Sequence, residues 1–442
     1  MKISPQVAMT LRQIMLMNFG FFGIQYSFGL QQTAINPIFS FLNADPGQLP
    51  ILNMAGPITG LLVQPIIGAL SDRTWIPGLG RRRPYFLIGA IGCSLCLFIY
   101  PHVTALWVAV LLLWLLDISN NTAMEPFRAF IADTVPEHQQ ASGFLMQSVF
   151  TGLGITLANV SLYIFQQFGW LQQTSEAGIP YWVFGSFYIG AVCSIGSVLV
   201  TVLSTPEHEP SAEEMAALRA KKEQSAIAEI FIAIKEMPFA LWQLALVYLF
   251  QWYALFIYWQ YISHSIVQSV WNSTSADKAA YEQAVAWTGL VNGFYNIVTF
   301  ISAFGLMWMA KKYAAKYVHA FAVILAALAL LAIPHIGNKY LMFAPMIGFG
   351  IGWASMMGVP FMIVVHAIPK ERYGVYMGIV NMMIVIPMLI ETVTFGWIYD
   401  AFLGSNPANA MTFAGVFLAI AAFLTLLIKT TNKPAGVENN AA

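Results

Sequence analysis

Residues 115–137, LLDISNNTAMEPFRAFIADTVPE, place charged and amide side chains directly after a run of almost pure hydrocarbon. Asp117, Asn121, Glu125 and Arg128 follow i, i+4, i+8 and i+11 spacing, so on a helix they form one polar stripe. Burial disfavours the charged form of a carboxyl group that has no cation beside it. Such a group can take up and release a proton, and ionisable groups inside a membrane are usually functional. The stripe therefore predicts a proton-coupling group made of Asp117, Glu125 and Arg128.

The charges of this stripe differ in their expected partners. Asp117 and Arg128 lie about 16 Å apart along an ideal helix axis, which is too far for a direct ion pair. Arg128 is expected to pair with Glu125 one turn away or with another helix, whereas Asp117 has no cation nearby in the sequence. The competing interpretations are a structural acid at a helix contact for Asp117 and a side chain that extends to the membrane surface for Arg128.

The composition of the whole chain is that of a membrane protein. Its 442 residues are 58% hydrophobic and only 9% charged, whereas soluble domains carry about 25% charged residues. Twelve stretches are long enough to cross a bilayer at about 20 residues each. With both termini in the cytoplasm, all of the 20 lysines and arginines except Arg128, Lys278 and Lys339 lie on the cytoplasmic side. We therefore predict an all-α membrane protein of twelve transmembrane helices with both termini cytoplasmic.

A charged, alanine-rich segment at 205–238 divides the chain into two predicted six-helix bundles, 1–204 and 239–442. Residues 134–147, TVPEHQQASGFLMQ, are similar to residues 367–380, AIPKERYGVYMGIV, at corresponding places in the two halves. Two related halves of this kind are typical of transporters that work by alternating access. The formal net charge of zero argues against a nucleic acid as partner, and three cysteines do not make a disulfide framework.

The short connection between the second and third spans, GALSDRTWIPGLGRRRP at 68–84, combines small residues with charges. We expect contacts on the cytoplasmic side from Gly68, Asp72, Arg73, Gly80, Arg81 and Arg82. A glycine lets a neighbouring helix approach closely, and an aspartate can cap a helix or pair with an arginine. The alternative, in which the arginines only set topology, does not require Gly68, Asp72 and Gly80 at these spacings.

This connection resembles the loop 2–3 signature of the major facilitator superfamily. The resemblance implies a gating role for its six residues, because in that family the loop latches the two halves in one state. The fourth span resembles that of the sucrose–proton symporters, which are the plant sucrose transporters and their animal and bacterial relatives, near the glycoside–pentoside–hexuronide group. The residues that carry this resemblance are Asp117, Asn120-Asn121-Thr122, Pro126, Arg128-Ala129 and Ala132-Asp133. The resemblance implies the major facilitator fold, with Asp117 as proton acceptor and Arg128 needed for coupling or sugar binding. Two features depart from it: the first span has no histidine, and Glu125 stands where a small residue is usual.

A sugar site needs amides or hydroxyls together with an aromatic face, and polar residues of five spans are candidates. They are Asn18, Gln25, Tyr26, Gln31 and Gln32 in the first span, Asn121 and Arg128 in the fourth, Gln251, Tyr258, Trp259, Gln260 and His264 in the seventh, Asn292 and Asn296 in the eighth, and Glu391 in the eleventh. Tyrosine and tryptophan also populate membrane interfaces, and the two asparagines could join helices instead. Glu391 is equally a candidate for a second coupling acid, or for a group that is hydrogen-bonded within its own half of the chain.

Together these features predict a proton-coupled symporter that imports an α-glucoside disaccharide, maltose or sucrose, by alternating access. We expect a monomer in a bacterial inner membrane, with a small-molecule sugar and the lipid bilayer as partners, and with no cofactor or metal besides the coupling ion H⁺; Na⁺ is less favoured. The alternatives are a sodium-coupled glycoside symporter of the melibiose type and a drug–proton antiporter. The seven histidines are scattered without an HExxH spacing, which argues against a metalloenzyme, and the absence of a repeated pore loop argues against a channel.

Overall fold

A computed structural model describes residues 8–136, 139–168, 173–207, 232–367 and 373–429, and it is almost entirely helical. In the first half of the chain the long helices are α1 (Leu11–Phe41), α2 (Ala55–Arg73), α3 (Arg83–Ile99), α4 (Leu106–Thr134), α5 (Gln140–Gln166) and α6 (Tyr181–Ser204). In the second half they are α7 (Phe239–Trp271), α8 (Lys278–Lys312), α9 (Ala315–Ala332), α10 (Phe343–Ala367), α11 (Tyr373–Ala401) and α12 (Pro407–Leu426). The predicted all-α class is confirmed.

Eleven stretches of the described chain are long and apolar enough to cross a membrane. The remaining long helix, α1, has 31 residues, which at 1.5 Å per residue exceeds the thickness of a bilayer core. Its amide side chains, among them Asn18, Gln25 and Gln31, lower its hydropathy, and it is not among these eleven stretches. These three amide side chains would be costly in lipid, so we expect α1 to turn them toward protein partners.

Local sequence explains where several helices begin. Thr10 and Gln13 form a reciprocal cap at the start of α1, in which the Thr10 hydroxyl accepts from the Gln13 amide and the Gln13 side chain accepts from the Thr10 amide. Asp277 accepts from the Ala280 amide at the start of α8. Asn406 caps α12, with Pro407 at its first position, where the missing N–H costs nothing.

The chain forms two compact units. The first comprises Met1–Ala44 and Leu52–Gln224, and the second comprises Asp45–Ile51 and Ser225–Ala442. The division falls within the segment expected to separate two bundles, although residues 208–231 lie outside the described part of the chain. The bundle limits at 204 and 238 therefore stay a prediction.

The first unit has an aromatic core next to a close helix contact. Phe86 lies between Phe127 and Phe130, with ring centroids 4.5 and 5.3 Å away. At the contact of α1 with α6, the Gly23 amide donates to the Ser197 hydroxyl at 3.2 Å. A Cβ on Gly23 would overlap both that hydroxyl and the Cys193 backbone carbonyl. The absence of a side chain at Gly23 is therefore what lets these two helices approach each other.

We expect Gly23→Ala to destabilise the protein by about 1–3 kcal/mol, because the added methyl group overpacks a backbone contact that cannot move aside cheaply. Thermal unfolding of the purified protein in detergent measures this effect. Gly196→Ala on α6 is the matched control, since a Cβ there meets no atom within 4 Å, and it should not lower the unfolding temperature. Equal unfolding temperatures for the two variants would contradict the close contact.

Candidate functional site

The first unit places a carboxyl group in its interior without a cation. Asp117 lies on α4 and is only 1% exposed. Its Oδ1 accepts from the Gln31 amide of α1 at 2.7 Å, whereas its Oδ2 has no hydrogen-bond partner within the described ranges. No ion pair joins Asp117 to any residue in the described part of the chain. A buried charge with so little compensation is expensive, and taking up a proton removes that cost.

Amide side chains surround Asp117 in a connected network. Asn120 donates to the Gln31 side-chain oxygen at 3.4 Å and accepts from the Cys93 thiol at 2.9 Å. The sequence placed Gln31 among the sugar candidates, but the structure places its side chain on the Asp117 carboxylate. Sequence alone could not separate the two roles, because an amide suits a hydroxyl and a carboxylate equally well.

Asn121 connects α4 to α2. Its amide donates to the Thr59 hydroxyl at 3.1 Å and to the Asp117 backbone carbonyl at 2.9 Å, and its oxygen accepts from Gln64 at 2.7 Å. All of the hydrogen-bonding groups of this side chain therefore serve to hold α4 in place. Thr59 and Gln64 were not singled out in the sequence, where a single polar residue in an apolar span gives no sign of its partner.

The C-terminal part of the α4 stripe is more exposed than the Asp117 side chain. Arg128 and Glu125 face each other at 3.7 Å, with 49% and 38% of their side-chain surfaces exposed. This is one of the two pairings expected for Arg128. Charged groups with this exposure are not stable against lipid, so this face of α4 must lie against water or polar groups. The stripe thus combines a buried carboxyl group with an accessible ion pair about two turns further along the same helix face.

The other first-span candidates are directed into the first unit. Asn18 donates to the Ile14 carbonyl of its own helix at 2.9 Å, and Gln25 contacts the Met124 sulfur at 3.9 Å. The Tyr26 ring packs beside Gly190 of α6, and Gln32 is half-buried. None of these four residues contacts Asp117 directly, so the structure does not join them into one cluster with the acid.

The seventh-span candidates make separate pairs within the second unit. Tyr258 donates to Asn292 of α8 at 2.6 Å. The Nε2 atom of His264 lies 3.2 Å from the hydroxyl of Tyr281, which is also on α8. Gln251 bonds to His319 of α9 at 3.1 Å, a histidine the sequence did not single out.

The remaining candidates of the second unit are also engaged. Gln260 donates to Glu391 of α11 at 3.2 Å. Asn296 donates to the Asn292 carbonyl one turn earlier at 2.9 Å, and the Trp259 ring packs edge-on against Trp353. The polar face of α7 is therefore used to join α7 to three other helices of the unit.

A cavity of about 400 Å³ in the second unit does not suit a sugar. It is lined by apolar side chains such as Trp242, Leu246, Leu249, Met383 and Ile386. A sugar hydroxyl buried there would have no hydrogen-bond partner, which is unfavourable. The polar side chains of α4 and α7 remain the better candidates for contact with a hydrophilic solute.

The glycine- and arginine-rich connection between α2 and α3 is held by two acids of the first unit. Arg81 and Arg82 bind the Asp133 carboxylate at the end of α4, at 2.6 and 2.9 Å. Arg82 also donates to the Ser71 hydroxyl. Gly80 has φ +92°, a conformation that favours glycine.

The second acid of this connection is Glu207, which follows α6. Its carboxylate accepts from the backbone amides of Arg81, Arg82 and Arg83 at 2.8–3.1 Å, at the start of α3. The sequence did not single out Glu207, because it lies 124 residues beyond the helix that it caps. Gly68 lies on α2 beside Glu125, whereas the side chains of Asp72 and Arg73 lie outside the described residues.

Comparisons with known proteins agree with this architecture. The family model described as Major Facilitator Superfamily matches residues 17–391. The sucrose transport protein SUT5 of Oryza sativa subsp. indica is 24% identical over 95% of this chain and 87% of its own length. The sucrose transport protein SUC4 of Arabidopsis thaliana is 25% identical over 93% of this chain and 89% of its own length.

Solved structures are similar in fold. The xylose transporter XylE from E. coli, in a partially occluded inward open conformation, gives a TM-score of 0.66 at 13% identity and covers 95% of this chain and all of its own. The nucleoside transporter NupG gives a TM-score of 0.67 at 13% identity, with 94% of this chain and 98% of that chain covered. At these identities the likeness concerns the fold alone.

Proposed function

Because the chain belongs to the major facilitator superfamily, and is thus a multi-pass membrane transporter and not an enzyme, we propose that it imports an α-glucoside disaccharide together with a proton. Asp117 is the group that binds the proton. The observation that carries this proposal is a buried carboxyl group that has, among the described residues, one amide donor, one oxygen without a hydrogen-bond partner and no cation.

The sugar part of the proposal is supported by the relatives and by the residue types. The two plant proteins compared above are named sucrose transport proteins, and their similarity extends over more than 90% of the chain. Amide and aromatic side chains on α1, α4 and α7 are the groups that recognise sugar hydroxyls and ring faces. Sucrose and maltose are therefore the first substrates to test. The predicted location in a bacterial inner membrane stays a prediction, because these relatives are plant proteins.

The choice of proton over sodium is supported by the groups around Asp117. Sodium, like other hard cations, is bound by several oxygen ligands. Oδ1 of Asp117 instead faces the N–H of Gln31, and the next acid along α4, Glu125, is paired with Arg128. A proton needs only the one free oxygen, Oδ2. These contacts favour the proton-coupled function over a sodium-coupled glycoside symporter.

Uptake of radiolabelled mono- and disaccharides into proteoliposomes tests the proposal. We expect uptake of a disaccharide that increases as the external pH is lowered, that is lost with a protonophore, and that is unchanged when choline replaces sodium. Sodium-dependent uptake would indicate the melibiose-type alternative. Transport of hydrophobic cations in exchange for protons, without sugar uptake, would indicate the drug–proton antiporter instead.

A further inference from the structure

A second carboxyl group is buried in the second unit, and its surroundings differ from those of Asp117. Glu391 lies on α11 and is 0% exposed. Its Oε2 accepts from the Gln260 amide of α7 at 3.2 Å. No ion pair joins Glu391 to a cation in the parts of the chain that the structure describes. An ionised carboxylate held by a single neutral amide at this depth would be strongly unfavourable.

The side chains of Glu391 and Gln260 each leave one oxygen atom without a hydrogen bond in the described chain. Oε1 of Glu391 and Oε1 of Gln260 are both buried, and neither has a hydrogen-bond partner among the residues that the structure describes. An ionised carboxylate and an amide oxygen are acceptors only, so they cannot satisfy each other. A proton on the Glu391 Oε1 atom changes this, because the acid can then donate to the amide oxygen while the amide donates to the other acid oxygen. One proton thus satisfies both atoms in a two-bond ring.

In the described part of the chain, no group that interacts with Glu391 carries a positive charge. The titratable side chains that interact with it from α7 are Tyr253 and Tyr261. Tyr253 shares a hydrogen bond with Thr394 at 2.8 Å, and Tyr261 donates to the Pro46 carbonyl at 2.7 Å. Asp45, in the segment before α2, and Asp400, at the end of α11, interact electrostatically with Tyr261. Both would add only negative charge.

From this geometry we infer that Glu391 is a permanently protonated acid that binds Gln260 in a cyclic acid–amide pair and joins α11 to α7. It is a positioning residue and takes no part in the exchange of protons. Glu391 would hold its proton whichever solute the protein carries. The second unit then supplies no coupling proton from this position, and Glu391 is not free to contact a sugar.

The contrast with Asp117 explains why one acid keeps its proton and the other exchanges it. The amide of Gln31 donates to Asp117, as Gln260 donates to Glu391. The oxygen of Gln31, however, already accepts from Asn120. A proton on Asp117 Oδ2 would therefore share the Gln31 oxygen with Asn120, whereas the Gln260 oxygen accepts from no other described group and is available to Glu391 alone.

Infrared spectroscopy of the full-length protein in lipid tests the inference directly. Protein labelled with ¹³C at the glutamate carboxyl groups should show the carbonyl stretch of a protonated glutamic acid. That band should persist unchanged from mildly acidic to mildly alkaline pH, and it should be lost in Glu391→Gln. The absence of such a band from the wild-type protein, or its titration over the pH range in which uptake changes, would overturn the inference.

Transport provides a second, independent readout. Glutamine is a neutral substitute for a protonated glutamic acid, so Glu391→Gln should keep proton-driven accumulation and show no shift in the pH at half-maximal uptake. A folded Glu391→Gln variant that loses accumulation would overturn the inference. Should the variant not fold, the labelled wild-type band still decides. A protein that proved to carry another solute would disprove the sugar proposal and leave the infrared result intact.

Discussion

Replacing Asp117 with asparagine should abolish accumulation of the substrate against a gradient while leaving exchange of substrate across the membrane. The asparagine side chain is neutral and fits the same space, but it cannot bind and release a proton. One proton moving through about 100 mV supplies about 2.3 kcal/mol, which corresponds to about fifty-fold accumulation. The wild-type protein should approach that ratio in energised proteoliposomes, whereas Asp117→Asn should only equalise the two concentrations.

The matched control for Asp117→Asn is Glu176→Gln. Glu176 is an exposed acid between α5 and α6 with no interaction among the described residues, so its neutralisation should leave accumulation at the wild-type ratio. Counterflow of labelled substrate separates loss of coupling from loss of folding, because a correctly folded Asp117→Asn protein still exchanges substrate. Full accumulation by Asp117→Asn would remove Asp117 from the coupling mechanism.

Replacing Glu207 with alanine should produce the largest loss of stability of the changes considered. The Glu207 carboxylate satisfies three backbone amides at the start of α3 and lies 3.8 Å from the Arg83 guanidinium, with both side chains 8% exposed. Removing one partner of a buried charge pair costs about 3–5 kcal/mol. It also removes a negative charge from the helix N-terminus, where such a charge is favourable.

Thermal unfolding in detergent measures the effect of Glu207→Ala, and Glu207→Gln separates its causes. The glutamine keeps an oxygen acceptor for the amides but removes the charge, so its unfolding temperature should lie between those of the wild type and the alanine variant. Glu176→Ala serves as the neutral reference, because that acid lies on the surface and touches no partner in the described chain. An alanine variant at 207 as stable as this reference would show that the connection is held by other contacts.

The sequence predicted what depends on local pattern. Hydrophobic runs long enough to cross a bilayer predicted the all-α fold class. The four-residue spacing of the α4 stripe placed Asn121 and Asp117 on one face, where the Asn121 side chain donates to the Asp117 backbone carbonyl. The i, i+3 pair of Glu125 and Arg128 also followed from helix periodicity. Such predictions succeed because a helix fixes the positions of residues three or four apart.

Contacts between distant parts of the chain could not be predicted in the same way. Gln31 and Asp117 are 86 residues apart, and Gln260 and Glu391 are 131 residues apart. Nothing in a single sequence indicates which amide faces which acid. For this reason the sequence leaves Gln260 as a sugar candidate and several roles open for Glu391, whereas the structure places the two side chains against each other.

The motif between α2 and α3 shows the same limit. Its glycines and arginines were recognised from their spacing, but Asp133 and Glu207, the acids that hold it, come from the ends of α4 and α6. A carboxylate beyond the end of a helix gives no local sign that it caps another helix. The physical reason is that capping needs only an oxygen near free amides, whatever its place in the sequence.

The most direct test of Asp117 as the coupling group is the movement of protons during transport. Lightly buffered proteoliposomes with an external pH indicator should show alkalinisation of the medium when sucrose or maltose is added to the wild-type protein, and no change with Asp117→Asn. Sugar uptake by the wild-type protein without any pH change, or an equal pH change with both proteins, would contradict proton coupling through this side chain.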